Sequence, residues 1–345
     1  MHSIDLKNFN IRTDLLVDND YYKNEKLDDI KKVYKIDNIK IEEITLNDNN
    51  SKYFNKKPGI YETISFEDIT DKDNFKKVED VFIKVFKEFL IKLDVIDKEK
   101  VLIIGLGNEK STPDALGPLA IDNILVTRHL FKIGEVEEGY KNTSAFKPGV
   151  TAETGVETKD MITNLVEIVE PDFIIIIDAL ASSSIDRLNK TIQITSSGIT
   201  PGSGVGNNRE EISSDTMKVP VIAIGIPTVV DATTIVNDTF NYLVKQISYK
   251  IDNINNKKLK LVPERNQNYK NHDKNLSKEE KEKLLGMLGN LTESEFKNLI
   301  YEVLIPINEN LIVTPKEVDF LIEKLSLLLS SGINKTLHKQ FNPTN

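Results

Sequence analysis

Three aspartates stand just beyond runs of apolar residues, and they are the side chains of this 345-residue chain best suited to chemistry. Asp178 ends Phe173-Ile174-Ile175-Ile176-Ile177. Asp114 follows Val101–Ile104 through Gly105-Leu106-Gly107-Asn108 and Thr112-Pro113, and Asp231 follows Val219–Ile226 through Pro227. Two carboxyl groups held in one site repel as anions. They divide into an ionised base and a protonated acid, the pair needed to activate water. Asp178 is the strongest candidate: Ala179-Leu180-Ala181 follow it, so partial desolvation should raise its pKa. Asp114 and Asp231 also stand where helix N-caps are wanted, and an acid there stabilises a helix start without any further role.

Other chemistries are poorly supplied. Cys is absent, which removes disulfides, thiolate metal sites, iron–sulfur clusters and a cysteine nucleophile. Four histidines, at 2, 129, 272 and 338, leave little for a multi-histidine metal site. His129 reads as a surface or structural histidine on the less apolar side of its helix. No metal or cofactor is expected. The formal charge of −9 argues against a nucleic-acid coat. Gly105-Leu106-Gly107 lacks the third glycine of a dinucleotide fingerprint, since position 110 is Lys. Gly202-Ser-Gly-Val-Gly206 lacks the Gly-Lys-Ser/Thr of a phosphate loop, and no Gly-x-Ser-x-Gly elbow supports a serine nucleophile. The Asp-Thr/Ser-Gly of classical aspartic peptidases is missing from both Asp114 and Asp178.

The elements that must carry these aspartates alternate between strand and helix. Phe173–Ile177 is continuous and β-branched, as expected of a strand buried on both faces. Val101–Ile104 and Val219–Ile224 are similar. Helical spacing marks Lys76–Leu93, a stripe from Leu116 to Leu130, and Met161–Val169. This alternation predicts an α/β fold, a three-layer α/β/α sandwich around a mainly parallel sheet, in which sites form at the carboxyl ends of strands. Thr191–Thr195 alternates and reads as an antiparallel or edge strand. Near the N-terminus a helix over Tyr22–Val33 and a strand over Ile39–Thr45 are expected. Residues 250–283 carry ten Lys/Arg against six Asp/Glu and read as a polar, solvated excursion, followed by helices within 292–333. The most apolar run, Val219–Val230, has 12 residues, short of the ~20 a membrane span needs. With no secretory leader over residues 1–10, a soluble intracellular protein is expected.

GLGNEKSTPDALGP (105–118), TRHLF (127–131), PDFIIIIDALA (171–181), SGITPGSGVGNNR (197–209), VPVIAIGIPTVVDA (219–232) and VTPKEVD (313–319) together resemble the germination protease family of endospore-forming bacteria. The likeness runs in order from Arg12 to about His338, with the polar stretches 46–72 and 250–275 outside it. It implies a homotetrameric endopeptidase of the spore core that begins the degradation of small acid-soluble spore proteins. The fold it implies is similar to that of hydrogenase-maturation peptidases. The family's two essential acids fall on Asp114 and Asp178; Asp231 is not singled out.

The resemblance further implies a zymogen that removes residues 1–14 by cutting between Asp14 and Leu15, leaving 15–345 as one peptidase domain. With Met1 at its head, the sequence is expected to be the precursor. The family prefers an acid before the cut, a hydrophobic residue after it and then Ala; Leu16 stands here in place of that Ala. In the expected mechanism one carboxylate of Asp114/Asp178 takes a proton from the attacking water and the other donates to the developing oxyanion. An acid before the scissile bond calls for a cation, for which Arg209, Arg128 and Lys147 are candidates. Two competing readings are a metallopeptidase with Asp114 and Asp178 as ligands, and a catalytically silent module that binds spore proteins.

Overall fold

The computed structural model describes residues 13–19, 29–134, 136–202, 210–255, 269–272, 274, 276–304 and 311–341. Arg12, Arg209, the first seven positions of the expected helix at 22–33, and most of the glycine-rich loop after Gly202 lie outside these residues. The chain divides into two compact units. One comprises residues 12–182, 186–229 and 314–345; the other comprises 1–11, 183–185 and 230–313.

The larger unit is built on a mixed sheet. Its strands are β1 (Lys31–Ile36), β2 (Ile39–Leu46), β3 (Gly59–Ser65), β4 (Lys100–Gly105), β5 (Asn142–Phe146), β6 (Phe173–Ser182), β7 (Thr191–Thr195) and β8 (Val221–Asp231), in the spatial order β1-β2-β3-β7-β8-β6-β4-β5. β4 pairs in parallel with both β5 and β6, while β1, β2, β3, β7 and β8 form antiparallel neighbours. The apolar runs read from sequence are the interior strands β4, β6 and β8. The expected alternating strand is β7, antiparallel on both sides and internal rather than at an edge.

Two apolar layers cover the sheet. Val101 and Ile103 of β4, with Phe173, Ile175 and Ile177 of β6, face a core shared with α1 (Lys72–Lys92) and α8 (Val318–Leu337). Their neighbours Leu102, Ile104, Ile174 and Ile176 face a second core with Ile162 and Val169 of α4 (Thr158–Val169). Helices on both faces explain why these strands read as continuous apolar runs rather than alternating ones. The stripe from Leu116 to Leu130 is two short helices, α2 (Leu116–Ile121) and α3 (Arg128–Ile133), and His129 on α3 is exposed.

The helix expected over 22–33 is corrected within the described residues: Lys31–Ile36 is a strand, folded onto β2 by a hairpin. Asp37 and Asn38 turn that hairpin at φ 48° and 67°. Both central residues of a two-residue hairpin turn of this hand need positive φ, and Asp and Asn tolerate it better than most.

In the smaller unit Asp231 is the N-cap of α5 (Ala232–Asp252), accepting a hydrogen bond from the Thr234 amide at 2.6 Å. That is the structural role its position suggested. α5 packs against α7 (Glu293–Leu304) through stacked rings of Phe240 and Phe296, 4.2 Å between centroids. The short helix α6 (Lys278–Leu285) starts with a reciprocal cap between Ser277 and Glu280. Among the described residues no helix is long and apolar enough to cross a membrane.

Candidate active site

The carboxyl ends of β4 and β6 bring Asp114 and Asp178 together. Asp114 closes a 3₁₀ turn at Thr112–Asp114, reached by the tight loop that leaves β4. That loop is held down by the Leu106 amide, which donates to the Ile177 carbonyl at 2.8 Å. Glycine is required here for space. A Cβ on Gly107 would lie 2.0 Å from the Asp114 carbonyl oxygen, and Gly107 has φ +115°; one on Gly117 would lie 2.6 Å from the Ile177 carbonyl. The glycines that failed as a nucleotide fingerprint therefore let backbone approach backbone beside the aspartates. Asp114 does not cap a helix: its Oδ2 accepts the Asn108 amide at 2.7 Å.

The two carboxyl groups differ in setting. Burial pushes the pKa of Asp178 well above the usual carboxylate range. The negative charges of Asp114 and then Asp14 add to this, against one opposing hydrogen bond from the Ala179 amide. Burial also raises Asp114, but the Asn108 amide favours its anion. Both settings favour the protonated form, more strongly at Asp178 than at Asp114.

The third acid, Asp14, arrives from a segment far away in sequence. Residues 13–19 lie along the end of β6. The Asp14 amide donates to the Ala181 carbonyl at 3.0 Å, and the Ala181 amide donates back to Asp14 Oδ2 at 2.9 Å. Leu15 is extended, at φ −79° and ψ 132°, before a 3₁₀ turn over Leu16–Asp18. Its side chain is buried with Val17 and Leu180, with Ile199 packed alongside; Leu16 is buried among Ile44, Leu46, Phe54 and Tyr61. Each such apolar side chain is worth about 1.5–3 kcal/mol when fully buried. Asp18 is buried too, with Arg187 Nε 2.6 Å from Oδ1, while Thr13 Oγ1 and Ser182 Oγ each donate to Oδ2 at 2.8 Å.

Two side chains hold the peptide group that follows Asp14. Lys56 Nζ donates to the carbonyl oxygens of Thr13 and Asp14, both at 3.0 Å. Gln193 donates through Nε2 to the Asp14 carbonyl at 3.2 Å and accepts the Leu16 amide through Oε1 at 2.8 Å. Lys56 follows the one-turn helix Ser51–Phe54, whose C-cap Asn55 is left-handed at φ 49°. Gln193 sits between Ile192 and Ile194 on β7, and strand alternation turns it to the face opposite their core.

Sequence reasoning proposed other cations for this acid. Arg128 gives its Nη2 to the Ile168 carbonyl at 3.0 Å, and Lys147 is ion-paired with Asp122 at 2.7 Å and Glu109 at 3.3 Å. Among the described residues, Lys56 from the polar stretch 46–72 is a cationic side chain that reaches the Asp14 backbone, and nothing in the sequence marked it. Among the described residues no group of three or more His, Asp or Glu side chains is arranged to hold a metal ion.

A sequence model described as germination protease matches residues 11–345. The chain belongs to the germination protease family. The germination protease of Geobacillus sp. (strain WCH70) is 43% identical over 99% of this chain and 98% of its own length. That of Bacillus mycoides (strain KBAB4) is 42% identical over 99% and 97%. Among solved structures, a [NiFe] hydrogenase maturation protease HycI from Thermococcus kodakarensis KOD1 overlaps 42% of this chain and 80% of its own, at 15% identity and a TM-score of 0.28. As a germination protease the chain is a hydrolase of peptide bonds.

Proposed function

We propose that this germination protease is an atypical aspartic endopeptidase made as a zymogen, with Asp114 and Asp178 as its catalytic pair. It cuts itself between Asp14 and Leu15, separating a propeptide of residues 1–14 from the peptidase of residues 15–345. It then cuts small acid-soluble spore proteins in the spore core after Asp or Glu and before a hydrophobic residue. The family resemblance adds a homotetramer and a substrate that coats nucleic acid, with no direct contact to the nucleic acid or to a membrane.

The observation that carries this reading is the docking of Asp14–Leu15, the bond that the family resemblance implies is cut, onto the strand end that bears Asp178. In the mechanism, Asp114 as carboxylate takes a proton from water as the water oxygen attacks the Asp14 carbonyl carbon. Asp178, protonated, is the acid of the reaction. Loss of a proton-transfer group typically costs about 10²–10⁴ in rate. The preference for an acid is met by the Ala181 amide, the preference for a hydrophobic residue by the Leu180 and Ile199 surface.

The test follows the purified full chain by mass spectrometry, beside Asp114→Asn and Asp178→Asn, with and without chelator. The expected result is a chelator-resistant loss of residues 1–14 in the parent chain and none in either variant. Substantial cleavage in both variants would sink the pair, and a chelator-sensitive cut restored by one metal ion would replace it with a metallopeptidase.

A further inference from the structure

The carbonyl oxygen of Asp14 receives two side-chain hydrogen bonds, from Lys56 Nζ at 3.0 Å and Gln193 Nε2 at 3.2 Å. A main-chain carbonyl needs only one donor to be satisfied on burial. Here the Lys56 Nζ and an amide converge on the one oxygen that becomes negative when water adds to the carbonyl carbon. Burial lowers the Lys56 pKa, the negative charges of Asp14 and Asp18 oppose that, and charge growing on the oxygen favours the ammonium further. Preset donors aimed at developing charge, in a site screened from water, are usually the largest single contribution to catalysis.

We infer that Lys56 and Gln193 are catalytic residues that form the oxyanion site for the Asp14–Leu15 bond and for substrate bonds bound in its place, an inference that rests on the peptidase reading above. The step balances without further reactants. Water adds through oxygen to the Asp14 carbonyl carbon while Asp114 takes the water proton. The carbonyl electron pair moves to oxygen, where Lys56 and Gln193 meet it. As the pair returns, the bond from carbon to the Leu15 nitrogen breaks and that nitrogen takes the Asp178 proton. Because the oxyanion already has two donors, the Asp178 proton is available for the leaving amine.

Gln193 has a second use. Its Oε1 accepts the Leu16 amide at 2.8 Å while its Nε2 holds the Asp14 carbonyl, so one side chain straddles the bond to be cut. Both contacts are to main chain. They set the register of any extended peptide without reading its side chains, leaving selection to the Ala181 amide and the apolar surfaces around Leu15 and Leu16.

The experiment measures first-order self-cleavage of the full chain by mass spectrometry, with hydrogen exchange at the Asp14 and Leu16 amides. Lys56→Met should slow the cut about 10²–10³-fold at the same bond, the cost of losing one oxyanion donor. Protection of both amides should persist, because Ala181 and Gln193 still hold them. Lys56→Arg should recover part of the rate. Gln193→Glu keeps the acceptor for Leu16 and loses the donor, so it should be slowed at least about 10²-fold; it also covers the case in which Lys56→Met fails to fold. If Lys56 and Gln193 merely anchor the segment, the rate will fall only together with amide protection, and the inference is overturned. Parent-like rates in Lys56→Met and Gln193→Glu overturn it as well. A parent chain that makes no cut at Asp14–Leu15 defeats the peptidase reading first and this inference with it; a parent that cuts beside fast variants defeats this inference alone.

Discussion

Arg187 Nε lies 2.6 Å from Asp18 Oδ1, pairing a half-buried guanidinium with a carboxylate that is almost wholly buried. Arg187 also donates through Nη2 to the Val17 carbonyl at 3.3 Å, so it binds both the side chain and the backbone of the segment beyond the candidate scissile bond. Arg187→Gln removes the guanidinium from buried Asp18. Removing one member of a buried pair costs about 3–5 kcal/mol. The expected outcome is a lower denaturant midpoint for the intact full chain, with partial recovery in the double variant Asp18→Asn/Arg187→Gln. Equal midpoints for parent and Arg187→Gln would show that the other partners of Asp18 suffice.

Gly107 tests the close approach at Asp114. An alanine would need φ near +115° and would put its Cβ 2.0 Å from the Asp114 carbonyl oxygen, which is backbone and cannot swing aside. The turn carrying Asp114 must therefore move. Displacement of about 1 Å in a catalytic group can cost 10²-fold. Gly107→Ala should keep its circular dichroism and lose self-cleavage by about that factor, followed by mass spectrometry. A near-normal rate would mean that the turn has slack the packing does not show.

What the sequence revealed of this arrangement, and what it hid, follows from locality. Asp178 was legible because five apolar residues run directly into it, and Asp114 because a strand, a glycine turn and a proline precede it. The antiparallel strands were harder. Lys31–Ile36 mixes charged and apolar residues so closely that its period is ambiguous, although Asp37-Asn38 is a recognisable two-residue hairpin turn. Lys56 and Gln193 could not be found by position: they reach Asp14 across 42 and 179 residues. The one clue was the alternation of Thr-Ile-Gln-Ile-Thr, which places a glutamine opposite two core isoleucines.

Leu16 offers a test of substrate fit. It is fully buried among Ile44, Leu46, Phe54 and Tyr61, at the position where the proposed specificity prefers alanine. Truncating a buried leucine costs about 2–5 kcal/mol. In Leu16→Ala the loss falls mainly on the docked segment, and about 2 kcal/mol is a 30-fold loss in protection against local opening. Hydrogen exchange at the Leu16 amide should accelerate by at least that factor, and self-cleavage should slow as the extended conformation becomes less populated. Unchanged exchange would assign the docking energy to Asp18 and Arg187 instead.

Asp178 links the chemistry to stability through its proton. Burial, then the charges of Asp114 and Asp14, raises its pKa far above that of the unfolded chain. Between the two values the native state holds a proton that the unfolded state has released, so stability is greatest below the unfolded pKa and falls as pH rises through the folded one. Asp178→Asn is isosteric and removes this dependence. In full-length chain confirmed intact by mass spectrometry, its melting temperature should exceed that of the parent at pH 8. The difference should shrink as pH approaches about 4, where an unfolded aspartate also begins to hold its proton. The same variant should be inert in self-cleavage, so that loss of activity coincides with a gain in stability, the mark of a carboxyl group whose burial costs the fold. A variant less stable than the parent at every pH would mean that the Asp178 anion is compensated in the native state, and that the proton of the pair resides on Asp114.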